Sequence, residues 1–336
     1  CIRDRIKTYQ SLYSRMNNPL FSVIIPTYNR LDRLRVCLPT FLSSKLQGVE
    51  FIIVDNCSTD GTWPYLNELA LCDKRLRILQ NPQNIGMVKN WFRCYCEVKS
   101  PYALFLADDD KLEGDYIQQC YNIFVKHETV GMIHHFVSGW KNYVVDLKED
   151  YIVHKAGEDA QMAISMITGA VPGIAFRMNN FDLKNFSLDE GALYPQVKAS
   201  LLIAKNDDVA IIKKCGIVTP DWGNSVPEMF KEQGRPMDFG LNERITYLKK
   251  YAGTKVTFHF VCGTVSWYIN NVAFFKEKSH LFLYQTTSCI SKYYFNLLTL
   301  IYIFKKKECK ILVCFLLTLM TRPFHMFNFV NLSIIL

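Results

Sequence analysis

Apolar runs that stop abruptly at polar residues recur along the first third of the chain. Phe21 to Ile25 is a short apolar run ending at Pro26 and followed by Thr27, Tyr28 and Asn29, the pattern of a strand leaving into a polar loop. Leu31, Leu34, Leu38 and Phe41 then recur at helical spacing, with Arg30, Arg33 and Arg35 off that face. Phe51 to Val54 predicts a second strand, which ends at Asp55 and Asn56. Asp60-Gly61-Thr62 reads as a turn and helix entry, Leu76 to Leu79 as a third strand, and Met87 to Val98 as a helix. Leu104 to Leu106 predicts a fourth strand running into Asp108, Asp109 and Asp110. Strands alternating with helices imply right-handed crossovers and a mainly parallel sheet, in which ligands gather at the carboxyl ends of the strands. Thr27 and Asn29, Asp55, and the aspartate triplet stand at three such ends, so chain order brings them to one rim.

Beyond about residue 130 the pattern thins. A strand is predicted over Met132 to Val137, a helix near Glu158 to Thr168, and a Gly-rich loop entering a strand over G-A-V-P-G-I-A-F-R, residues 169 to 177. His134 and His135 fall on the first of these, where neighbours point to opposite faces; one is assigned to the core and neither to a ligand set. Trp91, Phe92 and Tyr95 are assigned to packing.

Composition narrows the class. The 336 residues are 49% hydrophobic and 21% charged, an ordinary globular balance that excludes disorder. The 12 cysteines are scattered without a C-x-x-C set, which excludes a zinc ribbon and points to reduced, mostly buried thiols. With no apolar segment near Cys1 to act as a signal peptide, the expected location is cytoplasmic. The formal charge of +8 is concentrated at one end, because residues 245 to 336 hold eleven Lys and Arg against two Glu. The residues between those charges are apolar, which argues against nucleic acid and for an anionic membrane surface. Tyr293 to Phe304 and Ile311 to Met320 are each shorter than the roughly 18 residues of a spanning helix. The expectation is amphipathic helices in the interface, with Lys305, Lys306, Lys307 and Lys310 at the headgroups, against the alternative of helices capping the core.

Three consecutive carboxylates repel one another and resist dehydration, so a divalent cation is the natural compensation. On an extended segment alternate residues share a side, which would let Asp108 and Asp110 converge while Asp109 turns away. The plainer readings are a solvated loop at a helix start for the triplet and a turn cap for Asp55.

The stretches F-S-V-I-I-P-T-Y-N-R, F-I-I-V-D-N-C-S-T-D-G-T, N-P-Q-N-I-G-M-V-K-N and Y-A-L-F-L-A-D-D-D resemble, in order and spacing, the inverting family 2 glycosyltransferases of the GT-A fold, of the bacterial surface-polysaccharide type. The resemblance covers residues 21 to about 125; the later G-I-A-F-R resembles the acceptor-side strand. It implies an α/β, Rossmann-like sheet with helices on both faces. It also implies a nucleotide-sugar donor, Mg²⁺ or Mn²⁺, and a carbohydrate or polyprenyl-linked acceptor at the inner face of the membrane. Carried over by residue, Pro26, Thr27 and Tyr28 line the base and Asp55 binds base or ribose. Asn84, Gly86 and Lys89 close the nucleotide pocket, Asp108 and Asp109 belong to the donor side with Asp108 facing ribose, and Asp110 binds the metal. The domain expectation is an extension over 1–20, a nucleotide-sugar half over 21–130, an acceptor half over 131–245, and a basic, apolar, membrane-associating helical region over 246–336.

Inversion by direct displacement needs a carboxylate to accept the acceptor's proton. The family commonly places it about twenty residues past A-F-R, where this chain reads Y-P-Q-V-K. Asp189 and Glu190, slightly earlier, are the candidate substitutes, with Asp207, Asp208 and Glu228 as alternatives. The missing acid also leaves open a noncatalytic nucleotide-sugar-binding or scaffolding subunit. A sugar nucleotidyltransferase fits less well, because Phe21 to Arg30 lacks the Gly-rich opening loop of that class.

Overall fold

In the computed structural model the described residues are 19–135, 150–169, 171–183, 194–213, 216–218, 220 and 241–270. Two compact units divide the chain, Cys1–Arg235 with Glu243–Phe260, and Pro236–Asn242 with Val261–Leu336. The sheet belongs to the first.

Its strands are β1 (Phe21–Thr27), β2 (Val49–Asp55), β3 (Leu76–Gln80), β4 (Tyr102–Phe105), β6 (Val130–His135), β7 (Tyr151–His154), β8 (Ala175–Arg177) and β9 (Asp208–Ile212), in the spatial order β3-β2-β1-β4-β8-β6-β9-β7. The pairings β1 with β2, β2 with β3, β1 with β4 and β6 with β9 are parallel, whereas β8 runs antiparallel to both β4 and β6, and β7 antiparallel to β9. This is the mostly parallel α/β sheet expected. Helices α1 (Leu31–Leu42), α2 (Thr62–Cys72), α3 (Met87–Cys96) and α4 (Tyr116–Lys126) connect the first strands, and α5 (Glu158–Ser165) and α6 (Pro195–Asn206) serve the second half. Two further helices, α7 (Leu241–Tyr251) and α8 (Gly253–Asn270), follow. No helix among the described residues is long and apolar enough to cross a membrane. Residues 293–320 with their lysines, and residues 1–18, lie outside the described set.

The central strands are buried along their whole length, as parallel strands covered on both faces must be. On α1 the buried stripe is Leu34, Cys37, Leu38 and Phe41, the helical face read from the sequence with Leu31 at its edge. Burial of Phe21, Phe41, Phe51 and Phe124 contributes about 1.5–3 kcal/mol each. Arg177 ends β8 at the lower edge of the sheet. It donates to the carbonyls of Val130, Phe124 and His127 and lies over the Tyr102 and Phe124 rings, so this arginine is a structural tie. The described cysteines Cys37, Cys57, Cys72, Cys94, Cys96 and Cys120 are free thiols.

Candidate active site

The chain runs outward from β1 through β2 to β3 and then returns to β4 on the other side of β1. That reversal is a topological switch point, where a crevice opens outside the strand ends. Hydrogen bonding between β1 and β4 stops after the Ile24 carbonyl accepts from the Leu106 amide at 3.0 Å. Pro26, two residues on, faces the same side by strand alternation, and its missing N–H leaves no ladder partner waiting. The two strands therefore part just where Thr27 and Asp108 begin the loops.

The aspartate triplet departs from the extended geometry expected of it. Asp108 and Asp109 are the central residues of a turn closed from the Asp110 amide to the Ala107 carbonyl at 3.4 Å, so strand alternation does not set their directions. Neighbours do. The Thr27 hydroxyl donates to Asp108 Oδ2 at 2.7 Å across the switch-point crevice. Asp109 pairs with Arg33 of α1 at 2.8 Å, and Asp110 is buried with 2% exposure. Burial and the charge of Asp109 push the half-buried Asp108 carboxyl up to about 7, against the opposing pull of Thr27, Arg30 and Arg33. Burial, with Asp109 and Asp110 next, likewise pushes the Cys37 thiol up to about 12. The turn is anchored on its far side. β5 (Lys111–Leu112) pairs antiparallel with β10 (Ile217–Val218), and the Leu112 amide donates to Thr40 Oγ1 of α1 at 3.0 Å.

Burial with an adjacent negative charge, which together raise the Asp108 carboxyl to about 7, is an environment that a hard dication relieves. Among the described residues no three His, Cys, Asp or Glu side chains form a closed cluster. That suits Mg²⁺ or Mn²⁺, which take one or two carboxylates and complete their shell with water and substrate phosphate. The carboxylates of the turn are oxygen donors of the kind such an ion takes.

Asp55 at the end of β2 is fully buried. It accepts from the Ser58 amide, the Ser58 hydroxyl and Gln80 Nε2, the last at 2.8 Å, so its carboxylate caps the turn that follows. The loops after β1 and β2 brace each other. Asn29, at φ 51°, accepts from the Thr59 amide at 2.8 Å, and its own amide donates to Ser58 Oγ. Tyr28 is 42% exposed on this loop.

Sequence reasoning singled out Asn84 but missed Asn56, Asn81 and Asn90, which with it fix this side of the crevice. Asn56 Nδ2 donates to Asn84 Oδ1, and Asn56 Oδ1 accepts from Asn81 Nδ2 and the Ile85 amide, at 2.7, 2.8 and 3.0 Å. Asn81 also donates to Asn90, whose own amide reaches the Val54 carbonyl. The signal available was the density of Asn around 56, 81, 84 and 90. This network carries the Asn84–Gly86 turn over the end of β2. Gly86 at φ 84° enters α3, and Lys89 stands exposed on its first turn.

On the other side of β4 the start of β8 reaches the same rim. The Tyr116 hydroxyl donates to the Gly173 carbonyl at 2.7 Å and His135 Nε2 lies 3.2 Å from the Pro172 carbonyl. Gly173 has φ 87°, and a Cβ there would sit 2.4 Å from the His135 ring, so the approach requires glycine. Both His134 and His135 are buried. Asp207 and Asp208 lie at the opposite edge, because Asp208 begins β9 beside Val130 at the start of β6. Asp208 is held by Thr129, Lys155 and the Ala156 amide, and Asp207 by Asn180. The sheet thus keeps both away from the rim that carries Thr27 and Asp108. Helix α6 enters β9 from that lower edge, so Tyr194, Pro195 and Gln196 at its start lie toward the rim. Asp189, Glu190 and Glu228 fall outside the described residues.

Comparison with known proteins accords with this architecture. Residues 22–181 match the family described as Glycosyl transferase family 2. The putative teichuronic acid biosynthesis glycosyltransferase TuaG of Bacillus subtilis is 33% identical over 101 residues, 30% of this chain and 40% of TuaG. The putative glycosyltransferase EpsH of the same organism is 29% identical over 31% of this chain and 30% of its own length. The matches thus span less than half the length of these relatives. Among solved structures, S. aureus TarS 1–349 superposes with a TM-score of 0.58 at 15% identity, covering 93% of this chain and 94% of that one. The same TarS segment in complex with UDP-GlcNAc gives 0.53 at 17% identity, with 83% of each chain covered. The mannosyltransferase PcManGT from Pyrobaculum calidifontis, in complex with GDP-Man and Mn²⁺, gives 0.50 at 12% identity, covering 89% and 92%. These likenesses establish a shared GT-A fold. Residues 22–181, whose switch-point loops carry the aspartate triplet, thus match glycosyl transferase family 2 on a GT-A fold.

Proposed function

We propose that the protein is an inverting glycosyltransferase that moves a sugar from a nucleoside-diphosphate donor to a carbohydrate or lipid-linked acceptor in surface-polysaccharide assembly. The observation that carries the reading is the Thr27 to Asp108 hydrogen bond across the β1/β4 crevice, with Asp110 buried beside it. The donor's base lies along Pro26, Thr27 and Tyr28, with Asp55 holding the loop on which base and ribose rest. Asn84, Gly86 and Lys89 close over the nucleotide, and Lys89 offers its charge to phosphate. When bound through Asp110, Mg²⁺ or Mn²⁺ supplies neutralisation of the departing diphosphate. Asp108, held by Thr27, orients the donor, and Arg33 holds Asp109 in place. In the transfer the acceptor oxygen bonds to the anomeric carbon, the bond from that carbon to the phosphate oxygen breaks, and the acceptor hydroxyl gives its proton to a carboxylate. Glu190 or Asp189 is the proposed acceptor of that proton. An amide at the right position should cut turnover far more than donor affinity, and equal activity of both amide variants and wild type would refute the assignment.

The start of α6 favours one second reading. Tyr194, Pro195 and Gln196 bring no acid of their own and Glu243 is engaged by the Tyr194 amide at 3.0 Å, a composition that a noncatalytic nucleotide-sugar-binding subunit would carry. Donor hydrolysis with and without acceptor separates the two readings. Placement at the inner membrane face, through residues 293–320 and Lys305, Lys306, Lys307 and Lys310, completes the proposal. It predicts binding to anionic liposomes that weakens in high salt without vanishing.

A further inference from the structure

Immediately after the aspartate turn, the chain forms a cavity of about 350 Å³. Glu113 and Asp115 line it from the loop, Gln118, Gln119 and Asn122 from the first turns of α4, and Gly216 from the segment before β10. Tyr116, 1% exposed and tied by its hydroxyl to Gly173, forms the floor. Gly216 is required for that closure, since a Cβ there would lie 2.6 Å from the Tyr116 ring. The Glu113 amide donates to the Gly216 carbonyl at 2.7 Å, which fixes the mouth beside the β5–β10 pair.

Four properties specify a ligand. The lining sets carboxylates that accept and side-chain amides that donate and accept around an apolar floor that includes Tyr116, groups suited to the hydroxyls and carbon face of a sugar. Asp115 stands at the N-cap position of α4 yet makes no capping hydrogen bond, so its carboxylate is not consumed by the helix. The lining holds two acids and no Lys or Arg, which disfavours phosphate or uronate. The volume is at the lower end of the roughly 300–1,000 Å³ of small-molecule sites, suited to one or two sugar rings. Glu113 follows Asp110 by three residues, which limits their Cα separation to roughly 11 Å.

We infer that this cavity is a subsite for an uncharged pyranose unit of the acceptor, adjacent to the metal-binding turn. The inference rests on the transferase reading for the word acceptor, and on the cavity alone for the saccharide.

The test is saturation-transfer NMR on the full chain with methyl glucoside, methyl galactoside, methyl N-acetylglucosaminide and methyl glucuronide. Wild type and the Gln119→Ala/Asn122→Ala variant are compared, both changes being compatible with helix. At least one neutral pyranoside binds wild type, the glucuronide binds more weakly, and the variant loses affinity by about tenfold, the worth of two hydrogen bonds. Absence of saturation transfer from every neutral pyranoside, an unchanged variant, or displacement of the sugar by Mn²⁺ would overturn the inference. A parallel donor-hydrolysis assay should give equal rates for both proteins. Failure of wild type to bind or hydrolyse any nucleotide sugar would refute the transferase reading, while the NMR result still decides the saccharide site.

Discussion

Asp108 gives the most quantitative prediction, because its carboxyl lies at about 7 through burial and the adjacent Asp109. From an ordinary 3.8 that rise is worth about 4 kcal/mol at most, at 1.36 kcal/mol per pH unit, and residual water contact at this half-buried residue brings the expectation to about 2–4 kcal/mol. The folded pKa is raised, so the native state keeps the proton longer than the unfolded chain. The stabilising contribution is fully present below pH 3.8 and is lost as pH rises to about 7. Asp108→Asn keeps the shape and the acceptor for Thr27 but cannot ionise. Urea unfolding of the metal-free protein at pH 4 and pH 8 should show the variant gaining about 2–4 kcal/mol over wild type between the two pH values. Near-identical pH dependence, within about 0.5 kcal/mol, would mean that Asp108 ionises freely and that the turn does not concentrate charge.

Three further perturbations test the surrounding scaffold. Thr27→Val removes a hydrogen bond to a carboxylate worth about 1.5–3 kcal/mol, so the urea-unfolding stability should fall by that amount and donor affinity by more than tenfold in calorimetric titration; unchanged donor affinity would separate Thr27 from the donor site. Asn56→Ala deletes three hydrogen bonds of the asparagine network and should destabilise by about 2–4 kcal/mol in urea unfolding while loosening nucleotide binding, whereas a neutral result would reduce the network to decoration. Gly173→Ala forces a Cβ at positive φ against His135 and should cost at least about 2 kcal/mol, measured as a lowered unfolding midpoint.

The first half of the sheet was legible because its strands are apolar runs with sharp polar ends: β1 to β4 and the rim residues Thr27, Asp55 and Asp108 follow from that pattern. The conformation of the triplet was not, since a turn closed by one backbone bond leaves no periodicity, and the partners Thr27 and Arg33 are remote in sequence. β5 and β10 have two residues each, too short for any pattern, and are created by each other. β8 is three residues inserted antiparallel between β4 and β6, a placement decided by tertiary packing. The predicted helix near Glu158 to Thr168 stops at Ser165, where a short turn begins the path to Gly173. β9, Asp-Val-Ala-Ile-Ile, was a detectable apolar run, and its position is what separates Asp207 and Asp208 from the rim.

The central claim is metal-assisted nucleotide-sugar binding at the β1/β4 switch point. A thermal-shift screen of UDP-, GDP-, dTDP- and CDP-sugars with Mn²⁺, on wild type and Asp110→Ala, tests it most directly. At a donor concentration one hundred times Kd, binding stabilises by about 2.7 kcal/mol, enough to raise the melting temperature by several degrees. The account predicts that rise for at least one donor with wild type, its loss in EDTA, and its absence in Asp110→Ala. A screen in which no nucleotide sugar shifts wild type, or in which Asp110→Ala with Mn²⁺ shifts as far as wild type does, would contradict it.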